Sequence, residues 1–329
     1  MATPPKTELS ADAYTIGIVY VKPIEFKAIS TMLDERHEPV TLDANDDNEY
    51  VLGRVGKHNV VLAGPAMGLK GKAAIAHVVA RIPRTFKNIR GGLLVGIGGG
   101  IPHVTTHDVR LGDVVVGIPD DHPAVLQYDL VKEYQDKVVI SQIPLKPAPE
   151  PLPKVVTFVQ DLYDSGEEDI FAKHLQRFDR RRDSRIFKRP SSPDILFQPD
   201  FLHGQDHAVH CSSHPVNRQV RREPREPPDA IRIHYGTILS GDTVMKNADR
   251  RDSVGAEFPA ALCFEMEAAG VMDAFPCLVI RGVSDYSDSH KNNEWHGYAA
   301  ATAAAYARQL LLTMAQRLIL TGERKDRKS

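Results

Sequence analysis

Apolar residues in this chain come in two kinds of block. Short, unbroken β-rich runs recur at 15–21, 92–96, 113–118, 231–239, 262–264 and 277–283, the pattern of strands buried on both faces of a sheet. Stretches of helical period lie between and after them. Pro23 opens one, with Glu25 in its first turn, where a fixed φ and an acid beside the helix dipole are both favoured. Gly68-Leu69-Lys70-Gly71-Lys72 leads into an alanine-rich helix at about 73–81. Another helix is expected at 152–163, and a long amphipathic one at about 297–320 closes the pattern. Residues 50–55 and 59–63 flank Gly56-Lys57-His58 and read as a β-hairpin. Gly98-Gly99-Gly100-Ile101-Pro102 reads as the turn that caps strand 92–96. Strands alternating with helices predict an α/β fold.

The pattern fades between about 143 and 230. Prolines crowd 144–153, a basic segment from Arg177 to Arg189 contains Arg180-Arg181-Arg182, and 215–228 is again rich in proline and basic residues. The expected organisation is a flexible tail at 1–13 and one domain over 14–320, elaborated by this basic, proline-rich insertion, with a charged tail at 321–329. No internal repeat is visible.

Composition narrows the class. Of 329 residues 42% are hydrophobic, ample for a buried core, and the net charge of −2 argues against a general nucleic-acid binder. Cys211, Cys263 and Cys277 are too few and too scattered for a disulfide framework or a CxxC metal site, and Cys263 and Cys277 sit in strand-like contexts as small buried thiols. Met1-Ala2-Thr3-Pro4-Pro5-Lys6 holds no apolar signal core, and no apolar run reaches the roughly 18 residues of a membrane span. A cytoplasmic protein without a membrane partner is expected.

Two segments concentrate charge where the chain is otherwise apolar. Phe264-Glu265-Met266-Glu267-Ala268-Ala269-Gly270 sets two carboxylates at the start of a helix. Cys277-Leu278-Val279-Ile280-Arg281-Gly282-Val283-Ser284-Asp285 is a core strand that ends in charge, and strand ends of open α/β sheets collect ligands. Plainer readings stand beside this one. Ser284-Asp285 suits a helix N-cap, and Glu265 and Glu267 suit an acidic first turn. Gly96, Gly98, Gly99 and Gly100 lack dinucleotide-binding spacing, and there is no Walker sequence.

Together the two segments resemble the purine nucleoside phosphorylase and nucleosidase superfamily, which includes the methylthioadenosine nucleosidases. Ser240-Gly241-Asp242 matches that superfamily's Ser-Gly-Asp segment, and the resemblance covers roughly 14–130 and 231–320. The run Tyr298-Ala299-Ala300-Ala301-Thr302-Ala303-Ala304-Ala305-Tyr306 resembles one in the nucleoside-phosphorylase-like domains of fungal immune-type receptors. The resemblance implies a single-domain α/β/α sandwich with a mixed central sheet, a purine nucleoside or nucleotide as substrate, no cofactor and no metal. It also implies a homo-oligomer.

Site roles follow from the same resemblance. Breaking an N-glycosidic bond builds positive charge on the sugar and negative charge on the base. Asp285 would protonate or hydrogen-bond the purine, Glu267 would accept hydrogen bonds from the ribose hydroxyls, and Met266 would lie under the sugar beside Glu265 and Ser284. Val244 and Met245 would flank the base, and Ile97 and Gly98 would border the sugar and nucleophile. Glu25 stands where related nucleosidases hold the attacking water and where hexameric phosphorylases carry a phosphate-binding arginine. Arg281 would hold either a phosphate or Glu25. Ile97 offers no hydroxyl to phosphate, so the nucleophile is expected to be water.

At the 5′ end, Lys22 replaces an apolar residue of the methylthioadenosine enzymes, and His290, Lys291 and Trp295 lie in a segment that closes over that side in relatives. These residues, with the cations of the basic insertion, suit a phosphorylated sugar. The insertion also reads as a solvated face. A hydrolase acting on adenosine or adenine nucleotides, ATP included, is the expectation. A phosphorylase and a non-catalytic nucleoside sensor are the alternatives.

Overall fold

The computed structural model describes residues 6–326 apart from 70, 90, 137, 142–144, 167–168, 205–210 and 273, with side chains as far as Ala315 except Val138. Lys70 and the ends of both expected tails, 1–5 and 327–329, lie outside the described residues.

The first half of the chain forms β1 (Ile16–Val19), α1 (Pro23–Thr31), β2 (Glu35–Arg36), β3 (Tyr50–Val55), β4 (His58–Ala63), α2 (Lys72–Val79), α3 (Ile82–Thr85), β5 (Gly92–Gly100) and β6 (Val114–Val116). Then follow β7 (Val125–Gln127), a small hairpin of β8 (Val131–Glu133) and β9 (Val138–Ile140), α4 (Leu152–Ser165) and α5 (Ala172–Leu175). The last third holds β10 (Ile233–Tyr235), β11 (Thr237–Ser240), α6 (Ala248–Glu257), β12 (Ala261–Glu265), α7 (Ala268–Val271), β13 (Cys277–Asp285) and α8 (His296–Asp326).

Eleven of these strands form one mixed sheet. Its faces are covered separately, as the continuous apolar runs require. Ile16, Ile18, Leu93 and Val95 face α1, α4 and the alanine run of α8, while Val19, Val61, Leu94 and Val279 face α2, α3 and α7. The result is an α/β/α arrangement around a mixed sheet.

One strand changes neighbours midway. β13 runs parallel to β5 along its whole length. On the opposite edge, Gly92–Leu94 pair with β1, whereas Gly99 and Gly100 pair with β12. Gly96, Ile97 and Gly98 fall between the two ladders, and the sheet opens there. The glycine cluster is therefore part of a strand, not the turn after it. A second correction concerns 231–239, which is two strands broken at Gly236: β10 joins β6, and β11 joins β12 and β7.

The proline-rich insertion is packed where it is described. Phe178 and Phe187 stack at 4.6 Å and enter the core beneath α8. Arg177 donates to the Thr31 and Leu33 carbonyls, and Lys27 donates to Asp183 at 3.0 Å. Among the described residues no helix is long and apolar enough to cross a membrane.

Candidate active site

A cleft lined by polar and apolar side chains occupies the opening beside β5. Lys22 and Glu25 reach it from the β1–α1 junction, and Ile97, Gly98 and Gly99 from β5. Thr243, Val244 and Met245 follow β11, Phe264 to Glu267 join β12 to α7, and Ser284, Ser287 and Lys291 lie at or beyond the end of β13.

Glu25 turns back on the start of its own helix. Its Oε2 accepts the Val21 and Lys22 N–H groups at 2.9 and 2.8 Å, satisfying donors the helix leaves open. Its Oε1 accepts the Ile97 N–H at 2.9 Å, a group pointing into the opening between the β1 and β12 ladders. Gly96 makes this approach possible. A Cβ there would lie 2.2 Å from Arg281 Nη1 and 2.5 Å from Glu25 Oε1.

Arg281 is fully buried among three acids. It donates to Glu265, and the carboxylates of Glu267 and Glu25 lie 3.8 and 4.0 Å away. Glu265 also accepts the N–H groups of Glu267 and Ala268 at 3.1 and 2.9 Å, closing the start of α7. Its side chain borders the cleft, yet its bonds go to the protein. Glu267 keeps a face on the cleft. Burial first, then the Glu265 and Glu25 charges, push its carboxyl up to about 7 against the pull of Arg281. One guanidinium does not balance three carboxylates.

Asp285 ends β13 inside a tight turn. Its Oδ2 accepts the Ser284 hydroxyl at 2.9 Å and the Lys291 ammonium at 2.7 Å, and its Oδ1 accepts the Ser287 N–H at 3.0 Å. The next helix begins only at His296, so the N-cap reading fails. Asp285 borders a second hollow, shared with Tyr286, Asp288, His290 and Trp295 and walled by Ser192 and Phe197 of the insertion. Ser284 borders both spaces, and Lys291 spans from Asp285 to the cleft.

Two expectations about the 5′ side change in consequence. Lys291 is paired with Asp285. Trp295 lines the second hollow, with the Arg189 guanidinium 5.1 Å over its ring and Tyr298 at 5.9 Å. Of the cations assigned there, Lys22 is exposed at the cleft.

Ser240 and Asp242 prove to be builders. Ser240 accepts the Ala269 N–H at 3.0 Å, and Asp242 lies 3.3 Å from the Lys72 ammonium. Phe264, quoted in the sequence only as part of its motif, lines the cleft with Thr243 and Ser287, which went unread, as did His296 near Lys22 and Asp285. Burial and the Lys22 charge hold His296 down to about 4, so its ring is neutral at pH 7. Its place at the first turn of α8, next to Trp295, was the only local signal. Among the described residues no group of three His, Cys, Asp or Glu side chains could hold a metal ion.

No family model matches the chain. A nucleotide-binding leucine-rich repeat (NLR)-like protein of Hyaloscypha variabilis is 37% identical over 310 residues, covering 93% of this chain and 30% of that protein. ATP nucleosidase Cap17 of Escherichia coli is 33% identical over 95 residues, 27% of this chain and 18% of its own length. The chain thus spans less than a third of either relative. In fold it is similar to the 5′-methylthioadenosine/S-adenosylhomocysteine nucleosidase of Neisseria meningitidis, solved with methylthio-immucillin-A. The TM-score is 0.55 at 17% identity, over 91% of this chain and 99% of that one.

Proposed function

The chain belongs to the nucleoside phosphorylase/nucleosidase superfamily, and on that premise we propose that it is a purine nucleosidase. It hydrolyses the N-glycosidic bond of adenosine and of adenine nucleotides, ATP among them, and releases free adenine. The observation that carries this reading is the charge around Arg281. Glu25, Glu265 and Glu267 enclose the guanidinium that a phosphate nucleophile would need, so the inner cleft repels anions and favours water.

The geometry supports a role for each group. Glu25 Oε1, held by the Ile97 N–H, accepts a hydrogen bond from the attacking water and takes its proton. Glu267 holds the ribose hydroxyls more strongly as the ring becomes cationic, in a site where fixed charge needs no reorganisation. Met266 lies beneath the sugar, and Phe264, Val244 and Met245 face the base. Asp285, with Lys291 bonded to it, supplies the hydrogen bond or proton that lets adenine leave, help worth roughly 10²–10⁴ in rate.

Lys22, at the exposed rim, meets the 5′ phosphates. The names of the two relatives, an ATP nucleosidase and an NLR-like protein, favour a nucleotide substrate and a place in defence. A homo-oligomer follows from the family resemblance. The test is base release from a panel of adenine nucleosides and nucleotides, with and without inorganic phosphate. Free adenine and free sugar without phosphate are expected. Turnover only with phosphate, with ribose 1-phosphate accumulating, would establish phosphorolysis instead.

A further inference from the structure

We infer that the proline-rich insertion belongs to the catalytic apparatus, with Asp194 and Arg222 acting as positioning residues that set Asp285 through its neighbour Tyr286. This rests on the reading of Asp285 as the group that serves the leaving base.

Tyr286 is buried and clamped at both ends. Its hydroxyl donates to Asp194, and Arg222 Nη1 donates to the same hydroxyl at 2.7 Å. Arg222 also bonds the Asp194 carboxylate at 2.9 Å and lies 5.3 Å over the tyrosine ring. At the main chain, Arg251 Nη1 donates to the Tyr286 carbonyl at 2.9 Å.

The clamp has a reason to exist. Ser287, next in the chain, has φ +56°, a left-handed conformation that costs any residue with a Cβ. The turn nevertheless aims the Ser287 N–H at Asp285 Oδ1, 3.0 Å away. A strained turn persists when its surroundings over-determine it. Two of the three side chains that do so here, Asp194 and Arg222, come from the insertion. Arg222 is itself anchored, 3.6 Å from Asp108 on the approach to β6. The insertion therefore fixes where the Asp285 carboxylate stands between the cleft and the second hollow.

Substrates that differ only in their need for help at the base provide the test. A 7-methylated purine riboside already carries positive charge on its imidazole ring and leaves without a proton from the enzyme. Turnover is measured on adenosine or ATP, whichever the wild type cleaves faster, and on its 7-methyl counterpart. Tyr286→Phe keeps the ring beneath Arg222 and removes only the hydroxyl.

We expect Tyr286→Phe to lower kcat on the unmethylated substrate by roughly tenfold or more, the scale of a displaced catalytic group, with KM little changed. Turnover of the 7-methyl substrate should stay close to wild type. Asp194→Ala should behave alike, and Asp194→Asn, which keeps an oxygen acceptor, should recover most of the loss. Equal losses on both substrates would mean that the clamp only stabilises the fold, and no loss on either would mean that it does not set Asp285. Both results overturn the inference while leaving a hydrolase in place. A wild-type chain that releases no base from either substrate instead overturns the functional reading, and this inference with it.

Discussion

Arg281 brings one positive charge into a space that holds three carboxylates, and Glu267 absorbs the imbalance. Its carboxyl sits at about 7 against an ordinary 4.5, so the folded chain binds that proton more tightly than the unfolded one. Stability from this group is therefore greatest below about 4.5 and is lost as pH rises toward 7, by at most about 3 kcal/mol. Glu267→Gln should remove that decline, seen as a flatter denaturation midpoint between pH 5 and 8. The same change should cost about 1.5–3 kcal/mol of transition-state binding, since a charge-assisted bond to ribose is lost. In the wild type kcat/KM should rise through pH 7 as Glu267 ionises, and that limb should vanish in the glutamine variant. The motif letters pointed to Glu267, since an acidic first turn accounts for Glu265 better than for Glu267. Only the fold shows which of the two spends its oxygens on Arg281 and α7.

Elements were legible where one physical rule governs them. Buried strands announce themselves as unbroken apolar runs, and Pro23 and Glu25 mark the start of α1. β5 was half legible, because glycine disfavours strands by itself and the run Gly98-Gly99-Gly100 signals a turn. What overrides propensity is pairing on both edges and the need for β5 to pass close to charged groups. Gly96→Ala should thus cost about 1–3 kcal/mol or more from overpacking, as Arg281 and Glu25 are pushed aside. Urea unfolding measures the loss, and activity should fall further than stability explains.

At the scale of the whole molecule, the insertion was the least legible part. A basic run looks the same in sequence whether it is solvated or paired, because its partners lie far away in the chain. Arg225 meets Asp113 across 112 positions, at 2.6 and 2.7 Å, in a buried cluster with His234. Arg225→Met leaves Asp113 without its main counter-charge and should destabilise the chain by about 3–5 kcal/mol, read from denaturant midpoints. The overall field makes a different prediction at the cleft mouth. Lys22 is exposed, so any advantage of ATP over adenosine should shrink as salt rises past a Debye length of about 8–10 Å. Lys22→Met should weaken ATP cleavage relative to adenosine by about 1–3 kcal/mol in kcat/KM. An unchanged ratio would show that this lysine meets only solvent.

The parting of β5 from its neighbours leaves one peptide group in an unusual position. Nearly every N–H of a central strand is locked to a carbonyl, whereas that of Ile97 is bonded to the carboxylate of Glu25. Its nuclear magnetic resonance signal should lie apart from those of the rest of the strand and should move whenever that carboxylate gains or loses a companion. The amide of Ile97 thus offers a spectroscopic view of the proposed water-holding carboxylate, in solution and without turnover.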